Sequence, residues 1–229
     1  MGGLATHPVI NPHAVPAAWG LTSVLMQHPG LAVVPTITSE VVLAGRMQCR
    51  AVGKGGVEVD ENYAVEVRIG RQFPNDIPVV FETGGRIPLS FHRNPDESLC
   101  LGAPTALRLA LSQSPTVGGF IDSVLVPYLY GHAYHARFGV MPYGELPHGR
   151  AGLAQHFRTY FRMPAATNIP ALLSLTGLRR RVANKCPCPC GSRRRLGRCH
   201  HREVNRARAV LGREWFRTQV PLVGGAQET

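Results

Sequence analysis

The sequence has no long apolar run. Among its 229 residues no stretch of about 18 or more consecutive apolar side chains occurs, which excludes a transmembrane helix of ordinary length. Residues 1–7 also have neither a basic flank nor a continuous apolar segment, so they do not fit a secretory signal. We therefore expect a cytoplasmic protein without a membrane partner.

Acidic residues are nearly lacking from the last part of the chain. Residues 1–178 carry 12 Lys and Arg against 11 Asp and Glu, whereas residues 179–229 carry 13 against 3. The C-terminal part thus holds +10 of the formal net charge of +11. This asymmetry predicts a nearly neutral globular body of ordinary domain size, followed by a basic appendage.

Cysteine is also scarce, with six residues in the chain. Cys49 and Cys100 are solitary, and the other four lie between residues 186 and 199, beside two histidines. In a chain without a secretory signal, such a cluster indicates metal binding rather than a set of disulfides. Cys49 follows a strand-like segment without polar neighbours and is predicted to pack in the core.

The apolar pattern predicts an α+β fold, with a helix within residues 16–28 followed by an antiparallel meander. Strands are predicted over residues 33–43, 63–69 and 79–83, with a glycine-rich hairpin at 53–56. Five further helices are predicted, over residues 105–111, 116–139, 151–162, 169–177 and 203–218. Ser114 is predicted to cap the second of these five, and Pro127 to kink it.

Cys100 is the strongest candidate for a catalytic residue. It follows a polar turn that carries His92 and the amide side chain of Asn94. A cysteine nucleophile requires an accessible thiolate and a donor for the developing oxyanion, and this segment offers both residue types. His92 is expected either to orient the turn by hydrogen bonding to backbone or to act as a base. The alternative for Cys100 is packing in the core.

The order of these segments resembles that of the ubiquitin-conjugating enzymes. Residues 73–83 resemble the proline-rich loop and last strand of that family, residues 91–101 its active-site segment, and residues 114–125 the helix that follows. The similarity is greatest to the prokaryotic branch, which occurs in bacterial conjugation operons and in anti-phage systems that use cyclic oligonucleotides. It covers about residues 15–165.

The active-site segment departs from the eukaryotic pattern of that family. Arg93 stands where the eukaryotic segment has proline between histidine and asparagine, and Pro95 follows instead. Asn94 precedes Cys100 by six positions rather than eight, and the tryptophan that follows the cysteine is missing. The resemblance therefore leaves open whether Asn94 or another donor would bind the oxyanion.

The resemblance implies a ubiquitin-conjugating-enzyme fold over residues 1–165, with an N-terminal helix, an antiparallel β-meander and C-terminal helices. It implies a transferase that carries the C-terminus of a ubiquitin-like modifier, or of a cyclase-type signalling protein, as a thioester on Cys100. The implied partners are an activating enzyme and a target protein, and the implied setting is anti-phage defence. Asn94 and His92 would assist, with His148 on the acceptor side of the cleft.

Two further histidines follow Cys100 in the chain. His132 and His135 are three residues apart. This spacing is compatible with metal ligation from one helix face, but ordinary packing accounts for it more often. We therefore expect packing.

Residues 188–200 have the spacing C-x-C-x8-C-H. Three thiolates and one imidazole form a closed tetrahedral zinc site of the structural kind. The segment resembles the SEC-C motif, which ends the bacterial translocation motor and is attached to many other bacterial proteins. That resemblance assigns a structural Zn²⁺ to Cys188, Cys190, Cys199 and His200. Cys186 and His201 are alternative ligands. We expect residues 166–184 to be a helical, basic linker, and residues 185–229 a zinc module with a terminal helix.

Ten arginines with one acidic residue among them surround this motif. They fit a solvated surface, but their excess favours an interaction with nucleic acid or with an acidic protein. Residues 179–214 contain no Phe, Trp or Tyr that could stack on bases, which disfavours single-strand binding. The alternative to a transferase is therefore a non-catalytic scaffold of the same fold that binds a partner through this tail.

Overall fold

The computed structural model describes residues 16–53, 55–144 and 149–224. The chain forms two compact units, residues 1–144 and residues 145–229. The first combines helices with a sheet, and the described part of the second is helical. The predicted α+β class and the predicted order of helix, meander and helices are confirmed.

The first unit begins with a 3₁₀ turn, Ala17–Trp19, and helix α1, Leu21–Gln27. Strands β1 (Leu31–Val34), β2 (Val41–Val52), β3 (Glu58–Ile69) and β4 (Val79–Glu82) form one antiparallel sheet in the order β1-β2-β3-β4. Helices α2 (Pro104–Gln113), α3 (Val117–Phe120) and α4 (Val126–Phe138) follow the strands.

Alternation of apolar residues builds the core face of the sheet. In β3 the side chains of Tyr63, Val65, Val67 and Ile69 are at most 1% exposed, as the spacing predicts. β3 pairs with β2 along its whole length, from Val41 opposite Ile69 to Val52 opposite Glu58. Cys49, on β2, is fully buried in the same core, as predicted, and this burial raises the pKa of its thiol to about 11.

The predicted strand over residues 33–43 is wrong, because it spans two strands and the loop between them. β1 ends at Val34 and β2 begins at Val41. In the loop, the hydroxyl of Thr36 accepts the backbone N–H of Thr38 at 3.0 Å, and that of Thr38 accepts the N–H of Glu40 at 3.3 Å. Threonine side chains that bond to nearby backbone N–H groups compete with strand pairing.

The long helix predicted over residues 116–139 is interrupted where a proline was expected to kink it. A π-helical turn, Ile121–Leu125, separates α3 from α4, two residues before Pro127. Proline lacks the N–H that an α-helix needs, and a wider turn relieves the clash of its ring with the preceding carbonyls. Thr116, rather than Ser114, caps α3, and its hydroxyl accepts the N–H of Gly119 at 3.0 Å.

The second unit contains helices α5 (Gly149–Phe161), α6 (Ile169–Gly177), α7 (Arg180–Ala183) and α8 (His201–Gly224). A 3₁₀ turn, Leu196–Arg198, precedes α8. Gly212 interrupts α8, since its φ of 76° is not helical. The core of the unit consists of fully buried apolar side chains on α5, α6 and α8, among them Phe157, Leu172, Leu173 and Phe216.

The division into compact units differs from the domains expected from the sequence. Residues 145–165 were assigned to the first domain, but α5 lies in the second unit, where the rings of Phe161 and Phe216 lie 5.7 Å apart. Residues 166–184 were expected to be a linker, but α6 within them packs against α8. The charge composition of the chain changes after residue 178. The boundary between the two compact units lies earlier, between residues 144 and 145, because the apolar side chains of α5 are buried in the second unit.

Candidate functional site

Cys100 lies just beyond a small hairpin that follows β4. Arg93 and Leu99 form an isolated antiparallel bridge, and the backbone N–H of Asn94 donates to the carbonyl of Ser98 at 2.8 Å. The N–H of Leu99 donates to the carbonyl of Val80 at 2.7 Å, which attaches the hairpin to β4. Cys100 itself is partly exposed. The alternative of a cysteine packed inside the core therefore applies to Cys49 and not to Cys100.

Asn94 supports the hairpin from within. Its Nδ2 donates to the hydroxyl of Ser98 at 2.9 Å and lies 3.5 Å from the carbonyl of Leu99. Ser98 in turn donates through its hydroxyl and its N–H to a carboxylate oxygen of Asp96, at 2.6 and 3.1 Å, and these bonds lower the pKa of Asp96. The amide contacts of Asn94 thus lie inside the turn, the geometry of a residue that shapes the hairpin.

The backbone carbonyl of His92 joins the cysteine to α4. It accepts the N–H of Cys100 at 2.8 Å and the phenol O–H of Tyr128 at 3.1 Å. His92 has a φ of 37°, and its ring lies edge-on to that of Phe91 at 4.9 Å. The backbone of residue 92 therefore orients the turn, and the role of the His92 imidazole stays a prediction. Sequence spacing did not indicate Tyr128, which lies 36 residues from His92.

A buried ion pair holds the hairpin to the end of β4. A guanidinium nitrogen of Arg93 lies 3.3 Å from a carboxylate oxygen of Glu82, and the two side chains are 8% and 0% exposed. Arg93 also donates to the carbonyls of Ile87 at 2.7 Å and Glu97 at 3.2 Å. The carboxylate of Glu82 accepts the N–H groups of Gly84 at 2.9 Å and Ile87 at 3.2 Å. Arg93 therefore braces three chain segments.

The two histidines of α4 are packing residues, as expected. Nδ1 of His132 lies 2.9 Å from the phenol oxygen of Tyr63, and its ring lies 5.0 Å from that of Phe91. The ring of His135 lies 5.3 Å from the same phenylalanine. In residues 16–53, 55–144 and 149–224, neither joins a group of possible metal ligands. His148, predicted on the acceptor side, lies outside the described residues.

Burial of His132 predicts a pH dependence of stability. Desolvation, with a smaller contribution from Arg86, lowers its pKa. The stability linked to neutral His132 is present above its unfolded pKa of about 6.5 and is lost as the pH falls through the folded value. We expect His132→Gln to weaken the fall in stability of the first unit below about pH 6.5. The measurement is urea unfolding followed by Trp19 fluorescence in a Trp215→Phe background.

The matched control for this prediction is His156→Gln. Burial also lowers the pKa of His156, but this residue lies in the second unit. The substitution should leave the pH dependence of the Trp19 transition unchanged. If His132→Gln and the parent protein lose stability equally as the pH falls, the prediction is wrong.

The second unit contains a compact group of potential metal ligands. One ligand atom each from Cys188, Cys190, Cys199 and His200 lies within 4.8 Å of the others. Nδ1 of His200 lies 3.3 Å from the sulfur of Cys188 and 3.2 Å from that of Cys199. The sulfurs of Cys190 and Cys199 are 3.6 Å apart. The four residues assigned from the sequence therefore lie together and could hold a metal ion.

These separations fit a tetrahedral ion. Bonds of about 2.3 Å to sulfur and about 2.0 Å to nitrogen place tetrahedral ligands about 3.8 Å (sulfur to sulfur) and about 3.5 Å (sulfur to nitrogen) apart. The three short distances are a few tenths of an ångström below these values, and the other pairs of ligand atoms lie within 4.8 Å. Burial opposes ionisation of Cys199, but hydrogen bonds from Ser192 and Arg194 outweigh it and lower its pKa to about 6. The thiolate that a cation requires is thus favoured there.

Backbone hydrogen bonds position these ligands. Pro187 and Arg195 form a bridge, and the N–H of Cys188 donates to the carbonyl of Arg194 at 2.8 Å. Gly191, with a φ of 83°, lies in the turn between the two segments that this bridge joins. The two alternative ligands lie outside the group: the sulfur of Cys186 contacts the carbonyl of Val182 at 3.6 Å, and His201 begins α8.

Two basic residues of the tail have a structural role that the sequence did not indicate. Nε of Arg208 donates to the carbonyl of Thr176 at 2.8 Å, and another of its nitrogens to that of Leu175 at 2.5 Å. Nε of Arg217 donates to the carbonyl of Gly177 at 3.1 Å. Carbonyls at a helix C-terminus lack partners within the helix, and arginine supplies them here.

Searches against family models, curated proteins and solved structures each gave no match. Among the described helices, none is long and apolar enough to cross a membrane. The function must therefore be inferred from the two sites themselves.

Proposed function

We propose that the first unit is a ubiquitin-conjugating-like transferase that carries an acyl group as a thioester on Cys100. The observation that carries the proposal is a partly exposed cysteine on a braced hairpin between the last strand of a four-stranded meander and the following helices. The family resemblance adds the partners: an activating enzyme, a ubiquitin-like modifier or cyclase-type protein with a conjugatable C-terminus, and a target protein. It also adds a cytoplasmic role in anti-phage defence.

The reaction proceeds in two acyl transfers. The Cys100 thiolate attacks the thioester carbonyl on the activating enzyme, a new carbon–sulfur bond forms, the old carbon–sulfur bond breaks, and the cysteine of that enzyme leaves as a thiolate. An amine of the target then attacks the Cys100 thioester, an amide bond forms, the Cys100 thiolate leaves, and the amine proton passes to water. The N–H of Cys100 is bonded to the carbonyl of His92 at 2.8 Å, so the oxyanion needs another donor.

The test is transfer onto the purified chain by an activating enzyme and modifier encoded beside its gene, with ATP. We expect an adduct on non-reducing gels that reductant cleaves, whose intact mass equals chain plus modifier minus one water. Cys100→Ala should abolish it, and Cys100→Ser should give an ester that resists reductant. Cys186→Ser is the matched control, because Cys186 is also partly exposed and lies outside the metal group.

The same experiment separates the transferase from the scaffold alternative. If the parent protein and Cys100→Ala give the same result with each modifier tested, no acyl group is carried on Cys100. A second measurement needs no protein partner. A short peptide with a C-terminal glycyl thioester should acylate Cys100 faster than Cys186, because the hairpin holds the Cys100 thiol in one defined position. Equal rates at the two cysteines would contradict the proposal.

We further propose that the metal is Zn²⁺ and that its role is structural. Three cysteines and one histidine in tetrahedral arrangement are a closed ligand set, which leaves no position for water or substrate. When bound, the ion supplies a cross-link between the loop of residues 186–199 and the start of α8. The SEC-C resemblance supports the same assignment.

A further inference from the structure

The second unit carries exposed positive charge that acyl transfer does not use. Its described residues, 149–224, contain 16 Lys and Arg but only two acidic residues, Glu203 and Glu214. Glu214 pairs with Arg217 at 2.8 Å. Arg208 and Arg217 are engaged at the end of α6. The remaining charge therefore requires a separate account.

Nine arginines form what we call the arginine surface. They are exposed and lie at residues 179–181, 193–195, 198, 202 and 206. Residues 193–195 belong to the loop between two metal ligands, and residues 202 and 206 lie one turn apart on α8, directly after the ligand His200. The N–H of Gly197 donates to the carbonyl of Asn184 at 3.1 Å, which ties this loop to the end of α7. The metal ligands join the loop to the start of α8, and this backbone bond joins the loop to the end of α7, so the three arginine-bearing segments are linked to one another.

The composition of this surface matches phosphate. All nine side chains are arginine, whose planar guanidinium forms paired hydrogen bonds with phosphate oxygens and is more weakly hydrated than an ammonium group. Positive charges crowded on one surface repel one another unless an anion lies over them. This repulsion is evident at Arg208, whose pKa is lowered by burial first and then by Arg213 and Arg180. A polyanion would offset the repulsion.

The fold also brings an aromatic residue to this surface, which residues 179–214 alone do not contain. Tyr160 lies on α5, which packs against α8, the helix that carries Arg206. Burial raises the pKa of the Tyr160 phenol, and the positive charge of Arg206 opposes that effect. The ring of Tyr160 is parallel to that of His156, with an interplanar angle of 2°. The absence of aromatics from the basic segment therefore does not exclude a base-stacking partner.

We propose that the arginine surface is a nucleic-acid-binding surface that contacts the phosphate backbone. Phosphate contacts position a protein on nucleic acid without reading its sequence. An acidic protein is the competing partner. The guanidinium group also pairs with carboxylates, so the density of charge decides between the partners: nine exposed arginines with Glu203 as the one acidic residue between residues 179 and 206 match the phosphate backbone of a duplex, which carries one negative charge per about 1.7 Å of helix axis.

The test is fluorescence anisotropy with the full, metal-loaded chain and two labelled probes of about 30 nucleotides, a duplex DNA and a single-stranded RNA. We expect binding that weakens steeply between about 50 and 200 mM salt. Replacing the three arginines of residues 193–195 by glutamine should lower affinity about tenfold or more, and should reduce the logarithmic salt slope by about 2–3, since each lost phosphate contact removes about 0.9.

Two comparisons keep the proposal falsifiable. Arg46→Gln/Arg50→Gln/Arg71→Gln removes the same charge from exposed positions of the first unit and should bind like the parent protein. Arg180→Gln/Arg202→Gln/Arg206→Gln lies outside the ligand loop, so it should lose affinity with metal content unchanged. Equal binding by all variants would overturn the proposal, as would displacement of either probe by polyglutamate at the same charge concentration as by unlabelled nucleic acid.

Discussion

Replacing Glu82 by alanine is expected to lower the free energy of unfolding of the first unit by about 3–5 kcal/mol. The substitution leaves the guanidinium of Arg93 buried without its counter-ion, and removal of one partner of a buried pair has an effect of this size. The pair is 3.3 Å apart with side chains 8% and 0% exposed. The N–H groups of Gly84 and Ile87 would also lose their acceptor. Urea unfolding followed by Trp19 fluorescence in a Trp215→Phe background measures the change.

The matched control is an exposed pair between β3 and the loop that follows β4. Arg86 and Glu61 lie 2.6 Å apart, with side chains 39% and 42% exposed. Exposed pairs contribute about 0–1 kcal/mol, so Glu61→Ala should change stability by no more than that. Replacing both buried partners, as Glu82→Met/Arg93→Met, should lose less than Glu82→Ala alone, because no unpaired charge remains. Equal losses for Glu82→Ala and Glu61→Ala would contradict the prediction.

Under the proposed resemblance to ubiquitin-conjugating enzymes, Arg93 of this pair stands where the eukaryotic active-site segment has proline. Where proline would restrict the backbone before Asn94, Arg93 instead bonds through its side chain to β4, to Ile87 and to Glu97. The hairpin is thus held by the ion pair and hydrogen bonds of Arg93 rather than by the restricted backbone of a proline. We infer that Glu82→Ala would also release Cys100 from its fixed position. A change in the rate at which an alkylating reagent modifies the Cys100 thiol would measure this effect.

Local patterns carried much of the fold. The alternation of β3, the glycine hairpin before it and the bounds of α6 could each be predicted from the spacing of apolar residues and from the positions of glycine and proline within a short stretch of chain. The loop between β1 and β2 was missed because Val33 to Leu43 is rich in β-branched residues throughout. Pro35, which has no N–H to donate to a neighbouring strand, directly follows β1, and the hydroxyl bonds of Thr36 and Thr38 stabilise the loop after it. The proline was a signal in the sequence, but the β-branched residues around it outweighed it in the prediction.

The two sites differ in how far sequence could specify them. The four residues that lie together at the metal group were all named from the sequence, with Cys186 and His201 as alternatives, because they lie within 13 consecutive residues and their spacing is itself the constraint. At Cys100 the nucleophile was evident, but Glu82 and Tyr128 were not. They are 11 and 36 residues from the groups they contact, and such contacts depend on how helix and sheet pack. Spacing along the chain does not encode that packing.

Removing the metal is expected to unfold the region between α7 and α8. In that segment only Cys188 and Leu196 are buried, too few side chains to form a core. A structural zinc ion contributes an apparent 10–16 kcal/mol, in order of magnitude, to the folding of zinc-finger peptides. Chelation should therefore release one zinc per chain, and the loop should become sensitive to protease while the Trp19 transition stays unchanged. Elemental analysis and limited proteolysis measure the two effects.

Single substitutions identify the ligands. Cys199→Ser and His200→Asn should each lose the metal, because the sulfur and the Nδ1 atom lie 3.2 Å apart within the group. Cys186→Ser and His201→Asn should each retain one equivalent, because neither residue belongs to it. Retention of a full equivalent by Cys199→Ser would refute the assignment. If His201→Asn lost the metal and His200→Asn retained it, the fourth ligand would be His201 rather than His200. The metal site beside the arginine surface would then include the first residue of α8.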